Sequence, residues 1–220
     1  MIKNDKGRCK KAGIIADSHG YPEIIDRGIS FLKKKGCRCI YHLGDICDSF
    51  MPETAEQCIF ILKKNNVVAI KGNNDHKIMK LQRDKNIGIM SHKNFSYLQK
   101  LPIVIMYQNI ILTHSVPFIN ELGKMCMIKN MDKKQADIFF RVFPKNILFR
   151  GHGHNPEIIW QQEKNILFKP LFPEQRIKLK DKLPCIITCG AMIKGFCMIL
   201  NFERKEIGCY AFNIPDKLLT

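Results

Sequence analysis

Five stretches of the chain end in side chains able to hold a metal ion: Asp17-Ser18-His19, Gly44-Asp45-Ile46-Cys47-Asp48, Gly72-Asn73-Asn74-Asp75-His76, Thr113-His114-Ser115 and Gly151-His152-Gly153-His154. Each closes an apolar run. Asp17 and His19 stand two positions apart, so one oxygen and one nitrogen ligand can lean toward a single point from a strand end, a pairing that suits a divalent cation. Taken alone, Asp17 reads equally well as a helix cap and His19 as a turn residue. Likewise Gly72-Asn73-Asn74-Asp75 alone reads as a turn whose asparagines tolerate left-handed backbone. Recurrence along the chain favours the metal. Mixed nitrogen and oxygen donors without thiolate fit Mn, Fe, Zn, Co or Ni and exclude a calcium cage.

The elements that must position these tips follow from apolar periodicity. Ala12 to Ala16 reads as a buried strand. Pro22 opens a helix in which Ile24, Ile25, Ile29 and Leu32 share a face and which Lys33-Lys34-Lys35-Gly36 ends. Cys37 to Leu43 is a second strand, Pro52 to Lys64 a second helix and Val67 to Ile70 a third strand. After His76 comes a polar helical stretch, then Ile103 to Tyr107, a turn at Gln108-Asn109 and Ile110 to Ser115, which together predict a hairpin. Residues 116–130 are poorly periodic and 131–142 helical with Asp132 as cap, so 116–142 reads as a lid or a helical insertion. Ile147 to Phe149 is a further strand. Beyond Pro156 the chain is β-like at 158–160, 166–168, 185–189, 196–202 and 207–212, with Pro170, Pro173 and Pro184 bracketing a charged loop. Alternating strands and helices imply a largely parallel sheet, and ligands gather outside the carboxyl ends of such strands. The tips should therefore meet.

The 220 residues suffice for one core, and one globular domain over 1–220 is expected, with a polar N-terminal extension over 1–11. Lys+Arg 36 against Asp+Glu 20 gives +16. That excess could mark a nucleic-acid footprint, but it is scattered among Lys, Asn and Ile, which favours compositional drift. Ten cysteines show no C-x-x-C pair, several lie in apolar runs, and the first residues lack the apolar stretch of a signal peptide. No run is long enough to span a bilayer. A reducing, cytoplasmic setting with free thiols and no membrane partner is expected.

In order, the tips D-x-H, G-D, G-N-N-D, T-H and G-H-G-H resemble those of the calcineurin-like metallophosphoesterases, in particular the small bacterial members; Thr188-Cys189-Gly190-Ala191 is loosely similar to their tail. The resemblance implies an α/β fold, a four-layer αββα sandwich with two central mixed sheets. It implies one metal on Asp17, His19 and His154 and a second on Asn73, His114 and His152, with Asp45 bridging. Two cations about 3.5–4 Å apart need such a shared anion and can clamp an in-line displacement. Manganese is the first choice of metal, and a hydroxide between the two would attack a phosphomonoester or phosphodiester in a small phosphorylated substrate. Asp45, Asn74, Asp75 and His76 form the expected catalytic set. Asp48 and Asp75 are expected to orient loops or imidazoles, with a helix cap as the alternative for Asp48. Arg150 is named as a nearby cation. Many relatives carry a histidine, taken to protonate the leaving group, where this chain has Asn74, and an amide cannot donate that proton. Substrates whose leaving group needs little protonation, such as aryl esters or phosphoanhydrides, are then favoured unless His76 substitutes. Ser115 stands where relatives commonly have glycine and narrows the loop. His42 reads as a packed core residue and His92 as a surface one. A nuclease, supported by the basic balance alone, and a non-catalytic scaffold of the same fold are the rival readings.

Overall fold

The computed structural model describes residues 9–85, 88–117 and 124–214. Two six-stranded mixed sheets stack face to face between layers of helix. In the first, the order is β3(Val68–Ala69), β2(Cys39–His42), β1(Lys11–Ile15), β11(Phe196–Asn201), β12(Glu206–Ala211), β9(Arg176–Lys178), with β1, β2 and β3 parallel. In the second it is β4(Val104–Tyr107), β5(Ile110–Thr113), β6(Ile147–Arg150), β10(Cys185–Thr188), β7(Glu157–Gln162), β8(Asn165–Pro170), with β5, β6 and β10 parallel.

The period-two alternation of strands decides the layers. In β1, Ala12 and Ile14 point to the second sheet, where Leu112, Phe149, Ile187 and Met198 meet them; Ile15 points the other way. There α1(Pro22–Lys34) and α2(Ala55–Lys64) bury Ile24, Ile25, Ile29, Ala55, Cys58, Ile59 and Leu62. α3(Asn73–Lys85) and α4(His92–Lys100) extend that layer through Ile78, Met79 and Leu98. On the far face of the second sheet, Ala136, Phe139 and Phe140 of α6(Lys133–Val142) pack on Ile111, Leu148, Ile159 and Ile186. This is the expected αββα sandwich.

The hairpin forms as predicted, with β4 and β5 antiparallel and Gln108 at φ 53° in the tight turn. Asp132 caps α6 by accepting from the Gln135 N–H at 2.8 Å. Three expectations need correction. The Gly72-Asn73-Asn74-Asp75 run is no turn but the opening of α3: the Asp75 carboxylate reaches back to the Gly72 N–H at 2.9 Å, as the third residue of a capping box does. The polar stretch after it is two helices, α3 and α4, with the Ser91 side chain accepting from Asn94 N to start the second. The charged loop before Pro184 contains β9, which leaves the second sheet to pair with β12 at the edge of the first. Of the expected N-terminal extension, residues 1–8 lie outside the described residues and Lys11 already belongs to β1. Of the segment 116–142, residues 118–123 lie outside them; α5(Met125–Ile128) is one short turn, and α6 is an outer layer of the sandwich rather than a lid.

Candidate metal centre

The carboxyl ends of β1, β2, β3, β5 and β6 converge, and their loops are laced backbone to backbone. Asp17 N bonds Gly44 O, Ser18 N and His19 N bond Asp45 O, and Gly20 N bonds Ile46 O, each at 3.0 Å. The approach is close enough to exclude side chains: a Cβ on Gly72 would lie 2.1 Å from Asp45 N and 2.2 Å from its Oδ1, and one on Gly44 would lie 2.6 Å from Gly72 N. Asp17, His19, Asp45, His152 and His154 all have positive φ, between 46° and 61°. Non-glycine residues rarely hold that conformation, and where several do so together the surroundings must enforce it for the sake of where the side chains point.

All seven predicted donors reach this junction. In one grouping, ligand atoms of Asp17, His19 and His154 lie within 4.8 Å of one another. His19 Nε2 is 3.1 Å from His154 Nε2, which is 3.8 Å from Asp17 Oδ1. In the other, the Asn73 side-chain oxygen lies 3.1 Å from His114 Nε2 and 3.2 Å from His152 Nδ1, with Met127 O also at 3.2 Å. Asp45 spans the two: its Oδ1 is 3.5 Å from His114 Nε2 and its Oδ2 3.9 Å from His19 Nε2. Donors about 2.1 Å from one cation stand roughly 3.0–3.4 Å apart, so these spacings suit a shared ion.

Tautomers are set from behind. His19 Nδ1 donates to Asp48 Oδ2 at 3.0 Å and His114 Nδ1 donates to Leu43 O at 2.7 Å, which leaves each Nε2 lone pair directed inward. Asn73 supplies the sharpest sign of fit. Its oxygen faces two ring nitrogens and a carbonyl, all without a proton to give; hydrogen bonding alone would turn the amide over. A cation among these lone pairs removes the conflict. Charge argues the same way: burial, with Asp45 beside it, pushes the Asp17 carboxyl well above its usual range. Burial likewise raises Asp75 to about 7, with Asp45 adding to it. Burial lowers His114 and His154, and holds His152 at about 4, so these imidazoles are neutral ligands near pH 7. For Asp45, burial pushes up, but His114 and two hydrogen bonds from Asn74 outweigh it and the pKa falls. Two buried carboxylates among neutral imidazoles fit divalent cations.

The remaining expected residues divide. Asn74 donates from its backbone to Asp45 Oδ1 at 2.8 Å and from its side chain to Oδ2 at 2.7 Å, so it steadies the carboxylate. Asp75 is wholly buried and accepts from Ile46, Cys47 and Gly72 N–H groups. It ties the second tip to α3 and does not touch the donors, against its expected place in the catalytic set. His76 also stands apart: burial and the positive charges of Lys71, Lys124, Arg83 and Lys80 lower its pKa, and no donor figures among them. Arg150 is corrected too. It is 4% exposed and committed to Ser115 O, Ser115 Oγ and Thr188 Oγ1, so it braces β5, β6 and β10 and offsets Asp17 rather than facing a ligand. Ser115 also donates to Lys129 O, pinning the segment after α5. His42 is buried, as expected, with Nε2 on Ser18 Oγ at 3.0 Å, and His92 is exposed. Gly72, Leu43 O and Met127 O were not foreseen; a glycine before each acidic tip was the legible hint of the first.

A family model described as the calcineurin-like phosphoesterase superfamily domain matches residues 11–170. An uncharacterised protein of Methanocaldococcus jannaschii is 23% identical over 199 residues, 81% of this chain and 74% of that one. Among solved structures, a metallophosphoesterase from Sphaerobacter thermophilus superposes with a TM-score of 0.75 at 16% identity, covering 96% of this chain and 97% of that one. A structure described as a diadenosine tetraphosphatase, assigned as such without proof, gives 0.59 at 15% identity over 95% and 96%.

Proposed function

Because the chain belongs to the calcineurin-like phosphoesterase superfamily, we propose that it hydrolyses phosphomonoesters or phosphodiesters of small phosphorylated substrates with two divalent cations. Asp17, His19 and His154 would hold one, Asn73, His114 and His152 the other, and Asp45 both. The observation that carries this reading is the Asn73 oxygen facing His114 Nε2, His152 Nδ1 and Met127 O, three lone-pair groups that only a cation reconciles. Bound cations supply Lewis acidity to a phosphoryl oxygen and bring the pKa of a water within reach of neutral pH. The chain supplies the rest. Asp48 and the Leu43 carbonyl fix imidazole orientation, Asn74 fixes Asp45, and the α3 amino end, through Asn74 N–H, favours the charged carboxylate. His154 and His19, with side chains 35% and 15% exposed, mark the side open to substrate.

Manganese is the cation assigned, with Fe, Zn, Co and Ni as the alternatives to compare. The ten free cysteines fit a reducing, cytoplasmic setting, and among the described residues no helix is long and apolar enough to cross a membrane. The test is to strip the protein, reload it with each metal in turn, and measure metal per chain by elemental analysis alongside hydrolysis of p-nitrophenyl phosphate and its diester. Two metals per chain with turnover are expected. Empty protein without turnover would favour the scaffold and defeat the reading.

A further inference from the structure

Beside the centre lies a group of cations that none of the preceding chemistry uses. The first turn of α3 sends Asn73 and Asn74 inward; one turn on, Lys77 Nζ donates to Asn74 Oδ1 at 3.4 Å, while the other end of that amide holds Asp45. Lys77 is thus one side chain removed from the shared carboxylate. His76 stands beside it, and the strongest charges acting on it are all positive: Lys71, Lys124, Arg83 and Lys80. Lys124 comes from the facing wall, at the start of α5, whose Met127 carbonyl touches the Asn73 amide. Among the described residues, Lys77, Lys80, Arg83 and Lys124 pair with no carboxylate. Elsewhere on the surface Lys10 pairs with Glu203 and Arg141 with Asp137. Like charges drawn together without counter-charges are unfavourable unless an anion occupies the space between them.

We infer that Lys77 and Lys124, backed by Lys80 and Arg83, form a second anion subsite beside the metal centre, which takes the neighbouring phosphate of a phosphoanhydride substrate. The inference rests on the reading of the centre as a phosphoesterase and narrows its substrate class. Its chemistry is consistent with Asn74. An amide already donating to Asp45 has no proton for an alkoxide, whereas a departing phosphate requires none and finds the ammonium of Lys77 next to it. A compact, strongly hydrated point charge suits a phosphate that must bind and leave.

The test uses non-hydrolysable probes. Affinities of methylenediphosphonate and methylphosphonate for the metal-loaded protein are measured by calorimetry at one fixed free-metal concentration, for the wild type, Lys77→Ala, Lys77→Arg and Lys124→Ala. The diphosphonate should bind the wild type at least about ten-fold more tightly than the monophosphonate, one charge-assisted contact being worth that much. Each alanine variant should reduce that ratio several-fold, and Lys77→Arg should keep most of it. Lys124→Ala touches no candidate metal ligand, so its effect on the ratio separates the subsite from disturbance of Asn74. A wild-type ratio near one, or a ratio unmoved in both alanine variants, overturns the subsite. If p-nitrophenyl phosphate is still hydrolysed in that case, the phosphoesterase reading survives. If no metal loads, no ester is cleaved and neither phosphonate binds, both fall. Tight binding of duplex DNA lost in the same variants would assign the patch to nucleic acid and overturn the proposal.

Discussion

Asp17, His19 and His154 include a carboxylate of their own, whereas Asn73, His114 and His152 have none and depend on Asp45 for negative charge. The first grouping opens to solvent through His154; the second is sealed, with His114 wholly buried and Met127 O against Asn73. The difference teaches that the groupings are not equivalent cradles. The first offers stronger charge but easier exchange with water. The second offers a rigid pocket whose affinity for a cation depends on a carboxylate it shares. Asp45 is accordingly the residue held most firmly, by both donors of Asn74.

The severest way to break this comparison is Asp45→Asn. Both groupings lose their common anion, so metal content should fall from about two per chain to below one and turnover by at least about 10³-fold. Elemental analysis decides it: one cation retained in full would mean that the groupings are independent. Asp17→Asn should act on the first grouping alone and in two directions. Burial and Asp45 make the Asp17 charge unfavourable in metal-free protein, so the variant should melt a few degrees higher without metal. With metal its rise in Tm should be smaller than that of the wild type, because less binding energy is linked to folding. Calorimetric scans with and without cation check both signs.

Gly72→Ala strikes the scaffold common to both groupings. Its Cβ would overlap Asp45 N and Oδ1, and both are backed by the Gly44 loop, so nothing flexible can yield. We expect a loss of about 3 kcal/mol in chemical denaturation, with metal affinity falling as Asp45 is displaced.

The sequence disclosed this centre unevenly, for physical reasons. Side-chain type is written in the sequence, so Asp17, His19, Asp45, His114, His152 and His154 could be named from chemistry and strand-end position alone. The strands were legible because alternation in β1 or β6 is a local pattern. What was hidden is set by tertiary contact. Asn73 was readable as a turn because nothing local reveals that Asp75, three residues on, would close a helix cap. β9 has three residues and pairs with β12, so its evidence lies in a distant strand. Arg150 could be named as a cation but not assigned, since its partners Ser115 and Thr188 come from other strands.

Asp48→Asn sharpens the comparison from the first grouping's side. Its carboxylate fixes the His19 tautomer at 3.0 Å and accepts from Phe50 N at 2.9 Å. Removing that acceptor should weaken one cation by about 10–100-fold and leave the other in place. Calorimetric titration of stripped protein would then show two affinities split further apart; equal weakening of both would contradict the asymmetry.

His42 gives the smallest effect and tests the boundary of the centre. Ser18 Oγ lies within reach of two backbone carbonyls as donor, so it accepts from His42 Nε2–H, and His42 Nδ1 is a buried lone pair with no partner. Burial, with His114 nearby, holds its pKa at about 3 against an ordinary 6.5. Between those values the unfolded chain binds a proton that the folded chain refuses, so stability is lost as pH falls below 6.5 and regained above it. From pH 7.5 to 5.5 this amounts to about 1.4 kcal/mol for one such group. His42→Gln should flatten the pH dependence of stability by that amount and leave the metal content of both groupings at the wild-type level. A variant that keeps the full slope would show that the acid sensitivity belongs to the donor histidines instead, and one that loses metal would extend the centre inward to β2.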